Sequence, residues 1–145
     1  MIQCVGSRNK DNPNCSRICC QSAVKNALAI VKQNPDARVY VLYRDIRTFA
    51  FKELAYKAAR EAGVNFIRYA PEQPPTVTRE GGRLALEVFD CSLRMTIDLG
   101  ADLLALSSAI LPHPDSGRVA RLFKLPSDQD GFFMESHLKL KPLEF

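Results

Sequence analysis

Four of the five cysteines, Cys4, Cys15, Cys19 and Cys20, fall within the first twenty residues, and Cys91 stands alone. Ten residues separate Cys4 from Cys15, three separate Cys15 from Cys19, and Cys19 and Cys20 are adjacent. Four thiolates brought together suit zinc or an iron–sulfur cluster. The paired C-x2-C spacing common in zinc sites is absent, and adjacent cysteines hold a larger cubane more readily than one tetrahedral ion. A four-iron cluster held by thiolates is anionic. A helix N-terminus and the nearby Arg8, Lys10 and Arg17 would stabilise it, each contact contributing on the order of 0.3–1 kcal/mol. They would also raise its reduction potential, because they favour the added electron. Two plainer readings stand beside this one: a zinc site, or cysteines used as small buried residues.

The elements that must position these thiols can be read from residue pattern. Ile2–Val5 (IQCV) is a short buried strand, and its start almost at the first residue suggests a segment of a longer protein. The following stretch is rich in Gly, Asn, Asp and Pro and reads as a loop. A helix is expected from about Ser16 to Gln33, with Cys20, Val24, Ala27, Leu28 and Val31 on one stripe and Asn34-Pro35-Asp36 as its stop. On that helix Cys15 and Cys19 share a face, Cys20 points about 100° away, and Cys4 must reach across from the strand tip. Arg38–Arg44 is a second strand, Thr48 to Ala62 a second helix ended by Gly63, and Val64–Tyr69 a third strand. That order predicts parallel pairing with right-handed crossovers.

Beyond Ala70 the pattern changes. Pro71, Pro74 and Pro75 form a rigid connector, and Thr76–Arg79, Leu84–Phe89 and Leu93–Asp98 alternate apolar with polar residues. This predicts an antiparallel meander with one wet face. Ala101–Ala109 reads as an apolar buried strand closed by Pro112 and Pro114. A short helix over Val119–Phe123 and a turn over Asp128–Gly131 follow. No internal repeat is visible.

A strand, loop and helix followed by a strand ending in Arg44-Asp45 is the layout of a dinucleotide-binding unit, whose loop is glycine-rich so that backbone can approach a pyrophosphate. Here the loop offers only Gly6, and cysteines take the place of the other glycines. The position suits phosphate and the residues do not. Asp45 would accept ribose hydroxyls in that reading; otherwise it is a strand-end charge pairing with Arg44 or Arg47. His113 and His137 read as loop or packing residues, Cys91 as filler, and Ser107-Ser108 lacks the glycines of a nucleophile elbow.

With 145 residues, 46% hydrophobic and 25% charged, the chain has the composition of a folded domain, which excludes disorder and low-complexity classes. No apolar run approaches the ~18 residues of a membrane span. The first residues lack a signal peptide's basic start and apolar stretch, so a cytoplasmic location is expected. Residues 1–70 carry 12 basic and 5 acidic side chains, residues 71–145 carry 8 and 11. A basic first half suits an anionic cofactor or acidic partner. Nucleic acid is not expected, since no recognition motif interleaves the basic residues with aromatics.

The stretches IQCVGSR, CSRICC with the alanine-rich run after it, VYVLYRDIRT, GVNFIRY and ADLLALSSAILP together resemble the flavin-containing component of heterodisulfide reductases and its bacterial relatives. The resemblance covers essentially the whole chain, and the Cys-x10-Cys-Ser-x-x-Cys-Cys run is its most specific part. It implies a thioredoxin-reductase-like body: a flavin domain split in two around a pyridine-nucleotide-like domain. The fold it implies is α/β, a Rossmann-like three-layer domain with a parallel sheet plus an antiparallel β-meander. Residues 1–110 would be the NAD(P)-binding-like domain, and residues 111–145 a C-terminal extension returning into the split FAD domain. It further implies that Cys4, Cys15, Cys19 and Cys20 ligate a 4Fe-4S cluster relaying electrons to or from FAD, with Arg8 and Arg17 compensating its charge. Partners would be other subunits of a heterodisulfide reductase-like or hydrogenase-linked complex, with a homodimer left open. The family's amino-terminal cluster region, glycine-rich FAD-binding turn, closing flavin motif and ferredoxin-like clusters are missing from this stretch. It therefore reads as a middle fragment, not a complete catalyst, with FAD belonging to the full-length parent. Two alternatives remain: a cofactor-free or zinc-binding protein-interaction domain, and an NAD(P)-binding module.

Overall fold

Alternation along three short strands sends neighbouring side chains to opposite faces of one sheet and so builds two separate cores. The strands are β1 (Ile2–Val5), β2 (Tyr40–Tyr43) and β3 (Asn65–Arg68). The computed structural model describes residues 1–137, 139–141, 143 and 144. Leu138, Pro142 and Phe145, in the expected flavin-domain return, lie outside the described residues. The chain divides into two compact units, residues 1–109 and 110–145.

In the first unit β1, β2 and β3 pair in parallel with β7 (Leu106–Ser108) in the order β3-β2-β1-β7. Val41 and Phe66 point to one face, against helices α1 (Cys19–Gln33) and α2 (Lys52–Glu61), where Ala23, Val24, Ala27 and Ala59 are buried. Ile2, Leu42 and Ile67 point to the other, against Leu86 and Val88 of the second sheet. Burying one such Val or Leu fully is worth about 1.5–3 kcal/mol. The second sheet is an antiparallel meander of β4 (Thr76–Glu80), β5 (Arg83–Asp90) and β6 (Met95–Ala101). Its first hairpin turns at Gly81 and Gly82, both with positive φ (56° and 86°), as a two-residue turn between Glu80 and Arg83 requires. Asp90, itself buried, closes the second by accepting the N–H groups of Ser92 and Leu93 on Oδ1. Helices, parallel sheet and meander make the three layers of a Rossmann-like α/β domain.

Three expected boundaries are corrected. The first helix starts at Cys19, not near Ser16, because Arg17 has a φ of 63° that an α-helix cannot continue through. The second starts at Lys52, not Thr48, for the same reason at Ala50 (φ 51°). The apolar run over 101–109 yields only the three residues of β7, and it is not buried: Leu103 is 82% and Leu106 53% exposed. As the edge of its sheet, β7 has a neighbour on one side only.

In the second unit, α3 (Ser116–Phe123) ends at Lys124 in the left-handed conformation. Asp128 Oδ1 then accepts the N–H groups of Asp130 and Phe132, making the turn expected over 128–131. Gly131 has φ 86°, and a Cβ there would lie 3.2 Å from Pro112 Cγ. His113 and His137 each accept backbone N–H groups on Nδ1 within local turns. Among the described residues, no helix is long and apolar enough to cross a membrane.

Candidate functional site

The end of β1 is irregular where Cys4 sits. Ile2 pairs with Leu106 and Val5 with Ser108, so β1 uses three steps against two on β7, and the extra residue makes a bulge. Cys4 takes the left-handed conformation there (φ 60°), followed by Gly6 (72°) and Arg8 (57°). Holding a non-glycine residue in that region costs about 1–3 kcal/mol, and such strain gathers at functional sites. The loop is braced against it. The Ser7 N–H donates to the Cys4 carbonyl at 3.3 Å, and the Arg8 N–H donates to the Asn14 carbonyl at 3.2 Å. Asn12 donates its side-chain amide to Gly6 O at 3.0 Å. The Arg44 guanidinium, reaching over from the end of β2, donates to the carbonyls of Ser7 (3.2 Å) and Arg8 (2.9 Å).

Cys15 lies in the loop before α1, not on the helix, so the shared helical face expected for Cys15 and Cys19 does not form. The loop leaves Cys15 free of helical spacing, and Arg17 and Ile18 carry the chain to Cys19. The N-cap of α1 is Ile18, which has no side-chain acceptor, and the first turn holds no acidic residue. The first turn thus sets no carboxylate against the positive end of the helix dipole beside Cys19 and Cys20.

All five cysteines are free thiols; Cys20 is buried and the others are half-buried. The Cys20 thiol donates to the Asp45 carbonyl at 3.6 Å. Burial pushes its pKa up, the Arg47 backbone opposes that, and the charges of Cys4, Cys15 and Cys19 each push it further up. The four sulfurs therefore share one electrostatic neighbourhood, Cys4 included. Among the described residues, however, no three His, Cys, Asp or Glu side chains are placed to enclose a single metal ion. A tetrahedral zinc site would need sulfurs about 2.3 Å from one centre. In donor chemistry, four cysteine sulfurs are the set that an iron–sulfur cluster takes.

The basic residues behave differently from one another. Arg8 is half-buried; its Nη1 lies 4.0 Å from Cys4 Sγ and its Nη2 2.6 Å from Asp45 Oδ2. Asp45 holds the guanidinium pKa up, and Arg8 holds the carboxyl of Asp45 below the usual carboxylate range. The strand-end pairing expected of Asp45 with Arg44 or Arg47 is corrected: its oxygens go to Arg8 and, at 3.7 Å, to Arg68. The side chain of Arg17 is exposed. Two residues beside Cys4 escape the sequence reading. Gln3 is fully buried with neither side-chain amide atom paired within the protein, and Tyr69 donates its hydroxyl to the Gln3 carbonyl at 2.6 Å. A glutamine inside an apolar strand is the one visible signal, since an amide buried without a partner costs about 1–3 kcal/mol.

No protein-family model matches the chain. It is 40% identical over 147 residues to the A-type subunit of the ferredoxin:CoB-CoM heterodisulfide reductase of Methanosarcina acetivorans, covering 99% of this chain and 18% of that protein. It is 40% identical over 150 residues to the iron-sulfur A-type subunit of the CoB-CoM heterodisulfide reductase of Methanocaldococcus jannaschii, covering 98% and 22%. To the A-type subunit of the H(2)/formate:CoB-CoM heterodisulfide, ferredoxin reductase of Methanococcus maripaludis it is 38% identical, again covering 98% and 22%. The chain thus spans about a fifth of the length of these relatives. With the match running through both units, the chain belongs, as one segment, to the family of heterodisulfide reductase A-type subunits.

Proposed function

We propose that this chain is the electron-transfer segment of an iron–sulfur and flavin oxidoreductase, with Cys4, Cys15, Cys19 and Cys20 holding a 4Fe-4S cluster that exchanges electrons with FAD of the full-length parent. What supports this reading is the placement of four free thiols on the end of β1, in the loop after it and at the start of α1, where relatives of the architecture grip a diphosphate. The relative from M. jannaschii is named an iron-sulfur subunit, which supports the same assignment. The cluster would supply one-electron transfer. The chain supplies the rest. Cys4 comes from a bulged strand end, Cys15 from the loop, and Cys19 and Cys20 from the first turn of α1. Arg8 places a positive charge beside Cys4, and the start of α1 adds its partial charge. Arg17, whose side chain is exposed, is read as the second basic residue compensating the cluster's charge. No residue is required to move a proton.

Residues 111–145 are read as the return segment of the split flavin domain, and residues 1–110 as the former nucleotide-binding domain. The names of the relatives point to other subunits of a heterodisulfide reductase-like complex as partners. Anaerobic reconstitution with ferrous iron and sulfide tests the assignment. The expected result is a brown chromophore bleached by dithionite. Stoichiometric zinc without visible absorbance, or no metal uptake at all, would overturn it. Saturable NADH binding that survives alkylation of the cysteines would favour a pyridine-nucleotide module instead.

A further inference from the structure

Asp45 touches Cys20 directly and reaches Cys4 through Arg8. Its carbonyl oxygen accepts the Cys20 thiol at 3.6 Å, while its carboxylate binds Arg8 Nη2 at 2.6 Å. That grip leaves the other arm of the same guanidinium, Nη1, 4.0 Å from Cys4 Sγ. The carboxylate is fixed in turn: Arg68 Nη2 lies 3.7 Å from Oδ1, and Arg68 Nε donates to the Arg44 carbonyl at 3.2 Å. A chain of contacts therefore runs from β3 through Arg68, Asp45 and Arg8 to Cys4. A free arginine side chain samples many rotamers, so Arg8 needs such an anchor to present one fixed face to sulfur.

We infer that Asp45 is a positioning residue for the cysteine site: its carboxylate holds Arg8 against Cys4. The inference rests on the cluster reading above and adds the part that sets ligand geometry. Outer residues that orient metal ligands change metal retention roughly 10–100-fold when removed.

The test uses the full chain reconstituted with ferrous iron and sulfide, as wild type, Asp45→Asn, Asp45→Glu, Arg8→Gln and the double variant Asp45→Asn/Arg8→Gln. Two quantities are read: the rate of iron loss to a chelator and the electron paramagnetic resonance signal of the dithionite-reduced protein. With Arg8 present, Asp45→Asn is expected to speed iron loss roughly tenfold and to change the signal. In the Arg8→Gln background the same substitution is expected to alter the rate by less than about twofold, because the two residues act as one unit. Asp45→Glu is expected to return both readouts toward wild type. Equal responses in the two backgrounds, or no response to Asp45→Asn, overturn the role of Asp45 while leaving the cluster in place. A wild type that takes up no iron contradicts the functional reading, and this inference with it. If Asp45→Asn does not fold, Arg8→Gln and Asp45→Glu decide: a signal and rate unchanged in Arg8→Gln overturn the inference.

Discussion

Tyr69 donates its phenolic hydroxyl to the carbonyl oxygen of Gln3 at 2.6 Å, with both residues buried. The bond ties the end of β3 to the residue immediately before Cys4. It also satisfies a backbone carbonyl beside the bulge, where β1 and β7 lose register. Tyr69→Phe keeps the ring and strands that carbonyl. The expected cost is about 1–3 kcal/mol of unfolding free energy, measured by urea titration. An unchanged denaturation midpoint would mean that the bulge holds itself.

The same hydroxyl has a signature at alkaline pH. Burial first, then the charge of Cys4, pushes the Tyr69 pKa up to about 12, against about 10 in an unfolded chain. The unfolded state therefore releases this proton from about pH 10, while the folded state keeps it. The stabilisation is complete below about pH 10 and is lost as the pH rises to about 12. Between those limits wild type is expected to lose stability more steeply than Tyr69→Phe; parallel curves would contradict the assignment.

Leu42 is buried between the parallel sheet and the meander, 1% exposed, in the core that also holds Ile2, the residue two before Cys4. Leu42→Ala is expected to cost about 2–5 kcal/mol, the range for emptying a buried leucine site. The far side of the sheet has its own core around Val24 and Val41. The check is the denaturation midpoint; a loss under about 1 kcal/mol would show that the meander packs only loosely on the sheet.

Much of this architecture is legible in the residues. The run of β-branched and aromatic residues from Val39 to Tyr43 and the stripe through Cys20, Val24 and Ala27 mark a strand and a helix whose faces the structure buries. Gly81-Gly82 marks a hairpin by its chemistry. What could not be read depends on single backbone angles or on contacts between distant segments. Nothing in the identities of Arg17 and Ala50 announces a positive φ, yet each delays a helix by several residues. Leu103 and Leu106 look like core because apolar runs carry no mark of being at a sheet edge. At the site, the cysteines are conspicuous by spacing, whereas the partner of Asp45 is Arg8, 37 residues earlier, and proximity alone favours Arg44 or Arg47.

The most direct measurement is the iron and acid-labile sulfide content of anaerobically reconstituted chains in which each cysteine is changed to serine in turn. Wild type and Cys91→Ser are expected to carry about four of each per chain, as a 4Fe-4S cluster requires. Cys4→Ser, Cys15→Ser, Cys19→Ser and Cys20→Ser are each expected to lose iron or to show an altered visible spectrum. A Cys4→Ser chain with full iron, full sulfide and an unchanged spectrum would contradict the four-thiolate site.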